Sequence, residues 1–333
     1  MGLVKSTSNL FSLLFGKRKE TYSRLFDSYR DFDEISKTVN LISKNNLNSK
    51  KIILDQKSTL GNEILGLKIG NLESQNKFLV TGLIHGNEFI SGEICLRIAE
   101  NFSKNYQNEN FQVHFIPVLN PDSFVKNTEK LKNKKIFGRN QRTNPNGVDL
   151  NRNFPPERPE SKYRTYKSKM SLEYSGEFPL SENEAKAISD YVLKENFKAV
   201  VNLHSFSNVL LYPSFYSQEK SKFRAIAESL KFGKENYTPI QGADFWRETA
   251  LKRFVLKTLR GTTKICGTFD DWLLENQIPS ILLEISAPKN IYDHIWEFLF
   301  CDVAIFNPEP KALEFHLENL YPPILQFFSS FKK

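Results

Sequence analysis

Apolar and polar positions alternate along this chain in a pattern that predicts strands and helices in turn. Continuous apolar runs predict strands at 51–54, 65–69, 78–84, 111–119, 199–203 and 280–285. Helical periodicity follows the third run over 86–102, and Ser181 with Glu184 forms a capping-box pattern that predicts a helix to about residue 194. Alternation of this kind favours an α/β fold with a largely parallel sheet.

The chain divides into an N-terminal extension, residues 1–27, and one folded domain, residues 28–333. The stretch 121–180 is rich in polar residues, Pro, Gly and Asn, and it shows no clear element after Asn120-Pro121 ends the fourth strand. Long connections of this kind are often functional. The region 291–331 predicts helical packing against the domain.

Composition narrows the function classes. Among the 333 residues, 40% are hydrophobic, 25% are charged and 28 are Phe, which predicts a soluble domain with a Phe-rich core. The net charge of +8 is spread along the chain, so no nucleic-acid site is expected. Three separated cysteines favour a reducing, cytoplasmic location, and no apolar run predicts stable membrane insertion.

Two histidines lie where predicted strands end. In FLVTGLIHGNE, His85 follows one strand and Glu88 falls in the first turn of the next helix, while His204 follows the strand in AVVNLHSFSNVLLYP. Two imidazoles and one carboxylate are zinc ligands, and three protein ligands leave one position open, as catalytic sites require. The other histidines, His114, His294 and His316, are interpreted as structural.

Two further stretches carry charged groups. The loop GRNQRTNPNGVDLNRNFP offers Arg139, Arg142, Asn151 and Arg152, and guanidinium groups bind carboxylates or steady an oxyanion. In IPSILLEISAP, Glu284 stands in an apolar strand. Beside zinc, this carboxylate could take a proton from the attacking water and deliver it to the leaving amine.

Taken in order, HGNE, the Arg loop, DLNRNFP, NLHSFSNVLLYP, DDW and ILLE resemble the M14 metallocarboxypeptidases. The stretches NPNGVDLNRNFP and FPLSENEAKAI look most similar to the bacterial branch that includes murein-peptide amidases and γ-glutamyl–diaminopimelate carboxypeptidases. The resemblance implies one α/β/α sandwich with a mixed, eight-stranded sheet. It also implies hydrolysis of a C-terminal peptide bond in a peptide or murein-peptide substrate, with one zinc ion per chain.

The resemblance assigns roles residue by residue. It implies His85, Glu88 and His204 as zinc ligands, with Glu284 as general base and Arg142 as the oxyanion-stabilising group. It further implies Asn151 and Arg152 as the pair that grips the terminal carboxylate, and Asp149 as the carboxylate that orients His85.

This sequence departs from the family pattern at two positions. The stretch 262–269 has no capping Tyr, and Ile265 stands near its place; Asn87 replaces an Arg that digestive members carry. Asp270 occupies the position that often sets the preference for the released residue. A carboxylate there favours Lys, Arg or diaminopimelate.

Three other hypotheses stay open on the sequence alone. An aspartoacylase-like deacylase shares HxxE and a DLNR-like stretch, and a non-catalytic binding module would keep the fold with a degenerate site. Membrane recruitment through residues 1–20 could accompany either function.

Overall fold

We analysed a computed structural model of the chain. It describes residues 29–106, 110–133, 138–155, 167–212, 220–232, 237–241, 267–286 and 302–332. The predicted extension 1–27, Ile265 and His294 lie outside the described residues.

Eight described strands form one mixed sheet in the order β1-β2-β4-β3-β5-β8-β6-β7. Their bounds are β1 Ser49–Ile53, β2 Leu65–Gly70, β3 Lys77–Thr81, β4 Gln112–Ile116, β5 Ala199–His204, β6 Val209–Tyr212, β7 Thr238–Gln241 and β8 Ser280–Glu284. The central neighbours β4, β3, β5 and β8 are parallel, whereas β1, β2 and β4 pair antiparallel, as do β8 and β6. The predicted α/β class with a mixed sheet is confirmed.

Helices cover both faces of this sheet. They are α1 Phe32–Asn45, α2 Phe89–Asn105, α3 Pro121–Lys132, α4 Asn183–Glu195, α5 Lys220–Ser229, α6 Phe269–Glu275, α7 Val303–Phe306 and α8 Ala312–Ser329, with a 3-10 turn at Leu150–Arg152. Successive side chains of a strand point to opposite faces. Accordingly, Phe78 packs in a core with α1, α2 and α8, and Leu79 packs in a second core with α4 and α6.

The core is rich in Phe, as the composition predicts. Eight phenylalanines are among the largest fully buried side chains: Phe78, Phe111, Phe115, Phe124, Phe154, Phe269, Phe327 and Phe328. Among the described helices, none has the length and apolar character that crossing a bilayer requires.

Two local predictions were wrong. Helix α3 lies inside the stretch predicted to lack elements, with Asn120 as its N-cap and Pro121 in its first turn. The capping box at Ser181 does not form: α4 begins one residue later with Glu182 as N-cap and no side-chain cap. The Ser181 hydroxyl instead donates to Glu182 Oε1 at 2.7 Å.

Candidate metal centre

Two parallel strands bring the predicted metal ligands together. Because β3 and β5 pair in parallel, their carboxyl ends meet at the same edge of the sheet, where open α/β folds place their sites. His85 lies in the loop after β3, His204 is the last residue of β5, and Glu88 is the N-cap of α2. All three residues are buried.

The two imidazoles turn the same nitrogen toward one carboxylate. His85 Nδ1 lies 2.7 Å from Glu88 Oε1, and His204 Nδ1 lies 3.0 Å from Glu88 Oε2. One ligand atom from each residue falls within 4.8 Å of the other two. Ligand atoms that hold zinc tetrahedrally at about 2.0 Å lie about 3.3 Å apart, so small side-chain shifts suffice to accommodate the ion.

Hydrogen bonding at His85 supports a cation at this place. Its Nε2 lies 3.1 Å from Asp149 Oδ1, and because a carboxylate only accepts, Nε2 carries the ring proton. When Nδ1 carries no proton, its lone pair faces Glu88 Oε1 at 2.7 Å, so the two atoms can be ligands of one metal ion.

The ligand set fits a catalytic zinc site with an open position. Within the parts of the chain that the structure describes, no fourth His, Cys, Asp or Glu joins the three-residue group. Cys95 lies in α2, where its thiol faces Val80 O, and the other two cysteines lie outside the described residues. A closed structural site would need a fourth protein ligand.

Asp149 links the first histidine to the Arg loop. Its carboxylate accepts from Arg142 Nε at 3.2 Å and from the backbone N–H of Asn151 at 3.0 Å. Burial alone would raise the pKa of Asp149, but the charges of Arg142 and His85 outweigh it and hold this pKa well below its usual range. Asp149 is therefore an anion at neutral pH and can fix the His85 ring.

Arg142 lies at the opening of the site. Its Nη1 donates to Glu88 Oε1 at 3.2 Å, and its side chain keeps 22% of its exposure. Burial would raise the pKa of Glu88, but the neighbouring His85 and His204 reverse the effect and hold this pKa below its usual value. The site thus pairs the ionised carboxylate of Glu88 with the guanidinium of Arg142, which is partly exposed to solvent.

Arg152 stands deeper in the same loop. It is 5% exposed, its Nη1 donates to Asn151 O at 2.7 Å, and its Nη2 lies 3.5 Å from Glu173 Oε1. The Asn151 side chain accepts from the backbone N–H of Phe269 at 2.9 Å, which ties the loop to α6. The sequence analysis missed Glu173, whose position 21 residues after Arg152 carries no local signal.

Glu284 lies beside the second histidine. It ends β8, where it pairs in register with His204 across the parallel strands. Burial raises the pKa of Glu284 well above its usual value, and the nearby Glu88 adds to the rise. Its Oε2 is buried and has no hydrogen-bond partner among the residues that the structure describes, so this carboxylate can accept a proton from a bound molecule.

Comparison with known proteins decides the family. The zinc carboxypeptidase family model, M14, matches residues 43–316, which is most of the chain. The chain belongs to the M14 zinc carboxypeptidase family. It is 27% identical to carboxypeptidase B2 of Rattus norvegicus over 220 residues, which cover 60% of this chain and 50% of that protein. The chain thus spans about half the length of this curated relative.

Solved structures agree on the fold. The crystal structure of thrombin-activatable fibrinolysis inhibitor matches at a TM-score of 0.71 and 19% identity, covering 91% of this chain and 74% of the other. Carboxypeptidase A from Helicoverpa armigera matches at a TM-score of 0.67 and 18% identity, covering 98% and 80%. The predicted M14 resemblance and its α/β sandwich are confirmed.

Asp270 of this M14 chain is buried in the first turn of α6. Its Oδ2 accepts from Asn202 Nδ2 at 3.1 Å, and Thr81 Oγ1 donates to the same asparagine at 2.9 Å. Burial raises the pKa of Asp270 to about 6. Its Oδ1 is buried without a hydrogen-bond partner in the described parts of the chain. Asn202, which lies in β5 two residues before His204, was not singled out from the sequence.

Arg139 takes a different place from the other loop arginines. It is exposed, its carbonyl accepts from Lys130 Nζ, and its charge acts on Asp302 rather than on the three-residue group. The predicted substrate contact of Arg139 has no supporting geometry in the described residues.

The remaining histidines follow the structural interpretation where they are described. His114 is buried within β4, between the Tyr191 hydroxyl at 2.7 Å and Gln112 Oε1 at 2.8 Å. His316 is buried in α8.

Proposed function

We propose that this chain is a zinc-dependent metallocarboxypeptidase that releases the C-terminal residue of a peptide. His85, Glu88 and His204 hold one zinc ion per chain, and residues 28–333 form the catalytic domain. The observation that carries the proposal is the convergence of both Nδ1 atoms on Glu88, with Glu284 in register beside His204. When bound, zinc supplies Lewis-acid chemistry that polarises a carbonyl and makes water nucleophilic near neutral pH.

Glu284 acts as general base and then as general acid. Burial, and then the neighbouring Glu88, raise the pKa of Glu284, which makes it a stronger base than an exposed glutamate. Asp149 keeps the His85 ring in the tautomer whose Nδ1 faces the site.

Arg142 and Arg152 interact with two different anionic groups of the reaction. Arg142, whose side chain is half-buried, steadies the oxyanion that forms on the scissile carbonyl. Arg152 and Asn151 bind the carboxylate at the substrate's C-terminus, because a guanidinium fork matches a carboxylate. This grip explains selection of a terminal residue rather than an internal bond.

Asp270 sets the preference for the released side chain. Its buried Oδ1 favours a cation such as Lys, Arg or the amino group of diaminopimelate. Peptides and murein peptides that end in these residues are the proposed substrates.

A release assay on purified protein tests this function. Peptides ending in Lys, Arg, Phe or diaminopimelate are compared with the same peptides blocked as C-terminal amides, and with N-acyl amino acids. We expect release from free C-termini, loss of release after chelation and its return with zinc. Cleavage of N-acyl amino acids alone would favour the deacylase, and zinc binding without any cleavage would favour a non-catalytic binding module.

A further inference from the structure

The helix that carries Glu88 lacks a cap of its own. An N-cap side chain normally accepts a hydrogen bond from one of the first free N–H groups of its helix. Glu88 holds this position in α2, but its side chain makes no cap hydrogen bond. Its carboxylate instead faces the two histidine rings, and its Oε2 accepts from the backbone N–H of Ser205 at 3.1 Å.

Asn307 provides the missing cap from the far end of the domain. Its Oδ1 accepts from the backbone N–H of Ile90 at 3.0 Å, and its Nδ2 donates to the carbonyl of Asn87 at 2.9 Å. One side-chain amide therefore bridges the backbone on both sides of Glu88. Asn307 is 1% exposed, so water cannot readily replace these bonds.

Other bonds fix Asn307 itself. Its Nδ2 also donates to Val303 O at 2.9 Å, which joins it to α7. The adjacent Pro308 accepts from the Tyr29 hydroxyl at 2.8 Å, which anchors the segment to the start of the domain. These bonds hold the Asn307 side chain in one orientation.

The same short segment contacts the other two loops of the site. Asp302 accepts from the backbone N–H of Asn140 at 3.0 Å and from its side-chain amide at 2.7 Å, two residues before Arg142. The ring of Phe306 lies 5.1 Å from that of Phe206, two residues after His204. Residues 302–307 therefore support the Glu88, Arg142 and His204 loops together.

We propose that Asn307 is a positioning residue for the metal ligand Glu88, acting through the backbone of Asn87 and Ile90. The proposal rests on the proposed zinc function. In this proposal Asn307 accepts the capping hydrogen bond from Ile90 N, because the Glu88 side chain faces the metal site and makes no cap bond. Supporting groups of this kind change metal affinity by about 10- to 100-fold when they are removed.

Three variants separate positioning from general stability. Asn307→Leu removes all three side-chain hydrogen bonds at similar volume. Asn307→Asp keeps an acceptor for Ile90 but no longer donates to Asn87 O. The control, Asn319→Leu, makes the same change at a buried asparagine of α8 whose side-chain amide donates to Phe315 O in the same helix.

Two readouts are measured on the full chain. Zinc affinity is obtained by competition with a chelator of known affinity, and amide hydrogen exchange of the segment 87–95 is measured without metal. We expect at least about 10-fold weaker zinc binding and faster exchange of this segment in Asn307→Leu. In Asn307→Asp we expect weaker zinc binding with the Ile90 amide still protected, and in Asn319→Leu neither change.

The outcomes separate this inference from the proposed function. Wild-type zinc affinity in a folded Asn307→Leu protein, or an equal loss in Asn319→Leu, overturns the positioning role. If Asn307→Leu does not fold, wild-type affinity in Asn307→Asp has the same meaning. If the wild type itself binds no zinc, the proposed function fails, and unchanged exchange of segment 87–95 in Asn307→Leu then overturns the capping role as well.

Discussion

Asp149 Oδ1 lies 3.1 Å from His85 Nε2, on the side of the ring opposite Glu88. This pair fixes both the orientation and the tautomer of the first proposed zinc ligand. The negative charge of Asp149 also makes His85 Nδ1 a better electron donor, which strengthens a metal bond.

Replacing Asp149 with Asn should weaken zinc binding. The amide keeps the shape but removes the charge, so we expect zinc affinity to fall by about 10- to 100-fold, measured by chelator competition. The matched control is Asp190→Asn, which removes a carboxylate bonded to Lys186 in α4. Equal zinc affinity in Asp149→Asn and wild type would contradict the assigned role.

Replacing Arg152 with Lys should separate binding from chemistry. Lys keeps the positive charge but cannot donate two parallel hydrogen bonds to a carboxylate. We therefore expect KM for peptides with a free C-terminus to rise roughly 10- to 100-fold. The value of kcat should change less. Arg97→Lys, which alters an arginine paired with Glu93 on α2, serves as control. An unchanged KM in Arg152→Lys would exclude the carboxylate grip.

Replacing Asp270 with Asn should change substrate preference. The ratio of kcat/KM for release of Lys over Phe should fall by at least about 10-fold, because the buried countercharge is lost. Since burial raises the pKa of Asp270 to about 6, the wild-type ratio should also fall as the pH drops from 7.5 to 5. The ratio in Asp270→Asn should not depend on pH in this way. A wild-type preference for Phe at every pH would contradict the assignment.

His114 should make stability depend on pH. Gln112 Nε2 donates to Leu72 O and Ser74 O, so its oxygen faces His114 Nε2 and the ring is held neutral. Burial lowers the pKa of His114 to about 3, while the unfolded value is about 6.5. The unfolded chain therefore binds more protons between these values, and the free energy of unfolding falls as the pH drops below about 6.5.

Urea unfolding between pH 4 and 7.5 measures this effect. One such group contributes a slope of up to about 1.4 kcal/mol per pH unit. His114→Gln keeps polar groups at the position but does not titrate, so its stability should change less over this range. Identical pH profiles for the two proteins would contradict the account.

Much of the metal centre could be predicted because its residues follow apolar strands. The strand ends at His85, His204 and Glu284 stand out because buried parallel strands form continuous apolar runs that polar residues interrupt. The M14 resemblance then supplied the roles of Arg142 and Arg152, which the loop's composition left open.

Helix α3 could not be found by periodicity, because its buried face mixes Phe124 and Leu131 with polar side chains. Asn127 on this face donates to Gly86 O and to Gln141 O, each at 2.8 Å, and so joins the His85 loop to the Arg loop. Such a helix shows no continuous apolar stripe. Glu173 and Asn307 were missed for another reason: their partners lie far away along the chain, and only the fold brings them together.

The most direct test of the account compares two buried glutamates. Glu284→Gln and Glu184→Gln each neutralise a carboxyl whose pKa burial raises, but Glu184 lies in α4, where it accepts from Thr59 N and Asn144 Nδ2. Zinc content and release of C-terminal Lys are measured for both variants and the wild type.

The account predicts about one zinc per chain in all three proteins. It also predicts a loss of at least about 100-fold in kcat for Glu284→Gln alone. Full release by Glu284→Gln, or no zinc in the wild type, would contradict the central claim.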